Sequence, residues 1–141
     1  MRKTAFIAAL VVGILFIVGG IVTWVIVSNT LEDQKIFVAD DAPCLAGDEV
    51  DGPFSAFCQA RAIDAHTRNA TGGKTYAELD REDPLRDTAM NSAFLQASLF
   101  TSVVAFGVAG MAIVMGILFI LLGLGMKDVA SIAHVPGGSR T

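Results

Sequence analysis

Two stretches of the chain carry no charged side chain. The first is Thr4–Thr30, TAFIAALVVGILFIVGGIVTWVIVSNT, and the second is Thr88–Met126, ending in FTSVVAFGVAGMAIVMGILFILLGLGM. A helix crosses the hydrocarbon core of a bilayer with about 20 apolar residues, and both runs exceed that, so the pattern predicts two transmembrane helices. The first covers 4–28, with room to continue outward through Thr30-Leu31-Glu32-Asp33. The second begins at Asp83-Pro84, where Asp serves as N-cap and Pro as the first helical residue, and runs to Met126. That length, 84–126, spans about 64 Å at about 1.5 Å per residue. Its first turns, with Arg86, Asp87, Asn91 and Gln96, therefore form a polar stem outside the membrane.

The segment between the spans has a different texture. Gly52-Pro53 opens a helix whose Phe54, Phe57, Cys58 and Arg61 recur at helical spacing, and Gly72-Gly73 ends it. Thr75-x-x-Glu78 has capping-box form and predicts a short helix over 76–82. Lys35–Ala39 reads as a strand or extended chain. The apolar residues available for burial here are Ile36, Phe37, Val38, Leu45, Val50, Phe54, Phe57, Ile63, Tyr76 and Leu79, a core too small to hold without a staple. The chain thus divides into a cytoplasmic stub (1–3), transmembrane helix 1 (4–28), an extracytoplasmic loop (29–83), a long stem and transmembrane helix 2 (84–126), and a flexible cytoplasmic tail (127–141) containing Pro-Gly-Gly. The fold class expected is an all-α membrane protein: an antiparallel two-helix transmembrane hairpin with a small, mostly helical, disulfide-stapled extracytoplasmic loop.

Composition supports this division. Of 141 residues 53% are hydrophobic and only 17% charged, against about a quarter charged in soluble domains. The first run is too long for a signal-peptide core of about 7–15 residues, and no small-x-small cleavage site follows it. It reads as an uncleaved anchor. Arg2 and Lys3 precede helix 1, and Lys127 and Arg140 follow helix 2. The segment 29–87 holds thirteen Asp/Glu against six Lys/Arg. Positive charge prefers the cytoplasm, so both termini are expected inside the plasma (inner) membrane and the acidic loop outside. That acidity speaks against nucleic acid or anionic headgroups as partners of the loop.

The only cysteines, Cys44 and Cys58, both fall in the external loop, fourteen positions apart. An oxidising compartment favours a bridge between them, worth about 3 kcal/mol in the chain-entropy model; two free thiols are the alternative. Within the spans, small residues align. Ala9, Gly13 and Gly20 share one face of helix 1, and Ala105, Ala109, Ala112, Gly116 and Gly123 one face of helix 2. Such faces let helices approach closely, either on each other or on a larger membrane complex. Trp24 lies near the outer end of helix 1, where an interfacial aromatic belongs.

Candidate chemistry is sparse. Neither span contains an ionisable residue of the kind that marks ion paths and proton relays. TGGKT (Thr71–Thr75) lacks the first glycine of a phosphate loop, having Arg68 there, and reads as a helix end followed by a helix start. His66 and Asp64 are two apart and do not share a helix face. Asn69-Ala70-Thr71 fits a glycosylation sequon.

The block GGKTYAELDREDPLRDTAMNSAFLQASLFTSVVAFGVAGMAIVMGILFILLG (72–123), with VADDAPCLAG (38–47), GPFSAFCQA (52–60) and the N-terminal anchor, resembles a family of small two-helix actinobacterial membrane proteins. Its members commonly carry the label "aromatic ring-opening dioxygenase, LigA". The resemblance covers nearly the whole chain except the tail and brings no functional residues with it. Such a dioxygenase needs non-haem iron on two histidines and a carboxylate. The two histidines here, His66 and His134, fall on opposite sides of the membrane in the predicted topology, so one chain does not assemble that site. The expected function is non-catalytic and cofactor-free: an accessory or scaffold subunit of a cell-envelope or respiratory membrane assembly, in contact with the bilayer and with a membrane-protein partner or further copies of itself. The alternatives are the ring-opening activity of the family label and a homo-oligomeric membrane protein.

Overall fold

A computed structural model describes the backbone of residues 2–132 and the side chains of 4–126. The chain is mostly helical. In order come α1 (Arg2–Glu32), α2 (Pro53–Ala70), a 3-10 turn (Tyr76–Glu78) and α3 (Arg86–Ile132). No strand forms among the described residues; the extended segment around Phe37 makes a single antiparallel bridge to Glu49. α1 and α3 are long and apolar enough to cross a membrane, and only 11% and 17% of their most apolar stretches are buried within the chain. A soluble protein hides such stretches in its core; these leave them open.

The chain forms two compact units. One is built from Met1–Val22 and Val108–Thr141. Here Gly13, Gly20, Gly116 and Gly123 are buried. A Cβ on Gly13 would fall 2.8 Å from the Gly116 carbonyl oxygen, and one on Gly20 would fall 2.7 Å from that of Ala109. One on Gly123 would meet the Ala9 Cβ at 3.3 Å. These pairs run in reverse order along the two helices, so the helices are antiparallel and touch backbone to backbone. Gly13 and Gly20 are seven residues apart, as are Ala109, Gly116 and Gly123. A repeat of seven returns to nearly the same face every two turns. Phe16 and Phe119 flank this seam with ring centroids 6.0 Å apart.

The other unit is Thr23–Gly107. Its core gathers Leu31, Val38, Val50, Ala56, Cys58, Ala60, Leu99 and Phe106, with Val27, Ile36, Ile63 and Val103 packed against it. Short backbone bonds, Val38 N–H to Asp48 O (2.8 Å) and Val50 N–H to Ile36 O (2.9 Å), hold the loop on itself. Left-handed conformations at Lys35 (φ 51), Leu45 (φ 50) and Gly47 (φ 79) turn the chain before and after this pairing, which keeps it from lengthening into strands. α2 starts at Pro53. Ser55 Oγ accepts the N–H of Gly52 (3.1 Å) and of Asp51 (3.2 Å), satisfying donors at the helix entrance. Gly72 and Gly73, both at positive φ, turn the chain after the helix.

Three expectations need adjusting. The face of α2 turned inward is Ser55, Ala56, Cys58, Ala60 and Ala62, whereas Phe54 is 77% exposed and Phe57 43% exposed. Small side chains let the α2 backbone come close to its neighbours, and the bridge at Cys58 selects the side that faces in. The helix expected over 76–82 is one 3-10 turn. The second long helix begins at Arg86 and continues through Ile132. Asp83 nevertheless acts as its cap, its carboxylate accepting the Leu85 N–H at 2.9 Å. Met1 and residues 133–141, including His134 and Arg140, lie outside the described residues, as do the side chains of Arg2, Lys3 and Lys127.

Candidate functional site

Cys44 and Cys58 are bonded to each other, with Cα atoms 5.6 Å apart. Both belong to the core of the Thr23–Gly107 unit, where Cys58 is buried on α2 and Cys44 packs against the cluster. The bridge fastens the irregular loop to the helix at the point where the loop offers little apolar surface of its own. Ala39 N–H adds a bond to the Gln59 side chain at 2.9 Å.

The loop is further tied by polar pairs. His66 Nε2 lies 2.7 Å from an Asp41 carboxylate oxygen, and both side chains are exposed. The hydrogen bond from His66 holds the Asp41 carboxyl below its usual pKa. Asp64 pairs with Arg68 one turn along α2, at 3.0 Å. Thr67 on α2 shares a hydrogen bond with the buried Ser92 on α3. The Glu78 carboxylate accepts both the N–H and the hydroxyl of Thr75 at 2.8 Å, and the backbone bond first, then the hydroxyl, lowers its pKa. Arg86 crosses the Tyr76 ring at 4.3 Å and donates to the Tyr76 and Leu79 carbonyls. It thereby pins the turn Tyr76–Glu78 to the start of α3.

Trp24 stacks edge-on against the buried Phe106, centroids 4.8 Å apart, with 38% of its surface open. Of the small residues singled out in the sequence, Ala9, Gly13, Gly20, Ala109, Gly116 and Gly123 meet across the seam of the Met1–Val22 and Val108–Thr141 unit. Ala112 is partly buried in the same unit. Ala105 belongs to the other unit, where it lines a shallow groove of about 210 Å³ with Ile26, Val27, Leu31, Thr101 and Ser102. The hydroxyls of Thr101 and Ser102 are turned back onto their own helix, to the carbonyls of Ala97 and Ser98, which leaves that groove apolar.

Two further depressions exist in the Thr23–Gly107 unit. One, about 370 Å³, is bounded by Leu45, Asp48, Glu49, Asp51, Pro53 and Phe54. The other, about 330 Å³, is bounded by Arg68, Lys74, Tyr76, Ala89 and Gln96 among others. In the first, Ser55 also lines the wall and its hydroxyl lies 3.4 Å from the Asp51 carboxylate, but the same oxygen accepts the Asp51 and Gly52 N–H groups, which ties it to the entrance of α2. Among the described residues no group of three or more His, Cys, Asp or Glu side chains is placed to hold a metal ion. Sequence reasoning missed the Asp41–His66 pair and the Arg86–Tyr76 contact. The former joins residues 25 apart and has no local signal. The latter had one, a cation ten residues from a tyrosine across a Pro-containing turn.

The chain matches no protein-family model, no curated protein and no solved structure.

Proposed function

We propose that the chain is a two-pass membrane protein of the plasma (inner) membrane, with both termini cytoplasmic and the disulfide-bonded unit outside. In this reading it acts without catalysis, as an accessory or scaffold subunit of a cell-envelope or respiratory membrane assembly. The observation that carries the reading is the open apolar surface of α1 and α3. Residues such as Ile14, Leu15, Val18, Val108, Leu121 and Leu122 are all more than half exposed, on helices without a charge between Lys3 and Glu32 or between Asp87 and Lys127. Water would not tolerate that surface on a monomer; lipid or a membrane partner would cover it. The Cys44–Cys58 bond fits an oxidising compartment, which agrees with an external loop.

The glycine seam bears on the partner. Gly13, Gly20, Gly116 and Gly123 are occupied within the chain, so a second copy or another protein has to use the remaining lipid-facing surfaces.

The test is a mild-detergent isolation of the native protein through a tag on its C-terminal tail. Stoichiometric recovery of one larger membrane complex is expected. Recovery of the chain alone, or only with copies of itself, would overturn the accessory role.

A further inference from the structure

On the reading of the chain as a two-pass membrane protein, we infer that the first turn of α2, through Phe54 and Phe57, rests in the outer headgroup–acyl boundary of the bilayer. With Phe100 and Trp24 it forms an aromatic collar at that depth. Four observations carry this, all but the first within the Thr23–Gly107 unit.

About 20 residues counted from Thr4, the first uncharged position of α1, end near Trp24. The same count back from Met126 ends near Phe106. These two residues touch, with centroids 4.8 Å apart, so they mark one level, that of the outer edge of the hydrocarbon.

The start of α2 is held close to that level. Ser28 Oγ, four residues beyond Trp24, donates to the Asp51 carbonyl at 2.6 Å. Phe57 meets Phe100 edge-on at 6.0 Å, and Phe100 is six residues, or about 9 Å, above Phe106 along α3. Further along α2, Thr67 bonds to Ser92. α2 therefore climbs away beside α3, and its N-terminal turn is the end nearest the Trp24 level. The interfacial layer adds about 5–8 Å to each side of the hydrocarbon core; Ser28, about 6 Å beyond Trp24 along α1, brings the Asp51 end of α2 within it, and Phe100 stands at its outer limit.

Phe54 is 77% exposed and Phe57 43%, and Phe100 keeps 38% open. Exposed aromatics grouped at one depth are the signature of interfacial anchoring. Arg61, one turn above Phe57, is exposed and makes no ion pair among the described residues. The unit is acidic, so the attraction is apolar and does not require anionic lipid.

Phe94 supplies the internal contrast. It is 67% exposed but stands twelve residues, about 18 Å, above Phe106, beyond the interface. A protein partner covering the stem would treat Phe94 and Phe54 alike; a bilayer would not.

The experiment uses the full chain in nanodiscs of zwitterionic phosphatidylcholine, with bromines placed on the acyl chain close to the headgroup or deep in the core. Trp24→Phe removes the native tryptophan, and single reporters are introduced by Phe54→Trp, Phe57→Trp, Phe94→Trp and Leu118→Trp. The expected result is that the reporters at 54 and 57 lose most of their emission to shallow bromines, that at 118 to deep bromines, and that at 94 to neither. If 118 is quenched while 54 and 57 are not, the collar is overturned and the two-pass reading survives. If 94 is quenched as strongly as 54, the collar is likewise overturned. If 118 is unquenched, the two-pass reading itself fails, and the collar with it.

Discussion

Gly19 and Gly20 are neighbours in the chain and opposites in their surroundings. A Cβ on Gly19 would meet nothing within 4 Å, whereas one on Gly20 would meet the Ala109 carbonyl oxygen and Ile113 Cγ1, both at 2.7 Å. Backbone cannot retreat as a flexible side chain can, so Gly20→Ala forces the helices apart and is expected to cost about 1–3 kcal/mol. Gly19→Ala removes only the conformational freedom of glycine and is expected to be neutral or stabilising by up to about 1 kcal/mol. Denaturant titration of the helical signal in detergent checks the pair; equal effects would mean that the seam is not the tight contact described here. Glu78 carries a second expectation. Its pKa is lowered from the ordinary 4.5 by hydrogen bonds from Thr75, so the stability it contributes is full above about pH 4.5 and is lost as pH falls through the lowered value. The difference in melting temperature between the native chain and Glu78→Gln should therefore hold steady from neutral pH to that point and shrink below it. A gap independent of pH down to strongly acidic conditions would contradict the assignment. Thr75 and Glu78 were legible because a capping box is local. Asp41 and His66 were not, because only the folded loop brings them together.

At the scale of elements, the long helices were readable because their signal is composition sustained over many residues. Their ends were less so: α3 starts two residues past Pro84, although Asp83 caps it as its type suggests. α2 shows where periodicity misleads. Phe54, Phe57, Cys58 and Arg61 do share a face, but that face turns outward at its aromatic positions, because the largest apolar side chains are not always those a core takes. Here alanines at 56, 60 and 62 and Ser55 fill it. Ser55 is 5% exposed and accepts two backbone N–H groups at the mouth of α2. Ser55→Ala removes the acceptor shared by both donors in a half-buried site at the edge of the 370 Å³ depression, and a loss of about 0.5–1.5 kcal/mol is expected, read as a lower melting temperature of the external unit. Ser55→Thr, which keeps the oxygen, should recover part of it. A Ser55→Ala chain as stable as the native one would show that water reaches those donors.

At the scale of the molecule, the two units hold themselves together by different means. The helix pair of Met1–Val22 and Val108–Thr141 relies on backbone contact at glycines, a geometry set by packing and indifferent to redox state. The Thr23–Gly107 unit has few large buried side chains: Phe106, Val38 and Val50 are the largest fully buried. Such a core leaves little margin, and the Cys44–Cys58 bond supplies about 3 kcal/mol of it by limiting the unfolded loop. Reduction should therefore act unevenly. Backbone amides at 36–50 and along α2 are expected to exchange with deuterium faster, by up to about a hundredfold where exchange proceeds through opening of the unit, since each 1.4 kcal/mol is a factor of ten. Amides at 10–20 and 110–122 should keep their rates. Peptide-resolved hydrogen exchange on reduced and oxidised protein in the same detergent distinguishes the cases. Faster exchange in both units would mean that the bridge stabilises the chain as a single cooperative structure, and no change in either would mean that the apolar core alone suffices. The uneven outcome is the one that the distribution of buried side chains favours, because the glycine seam contains nothing that reduction can alter.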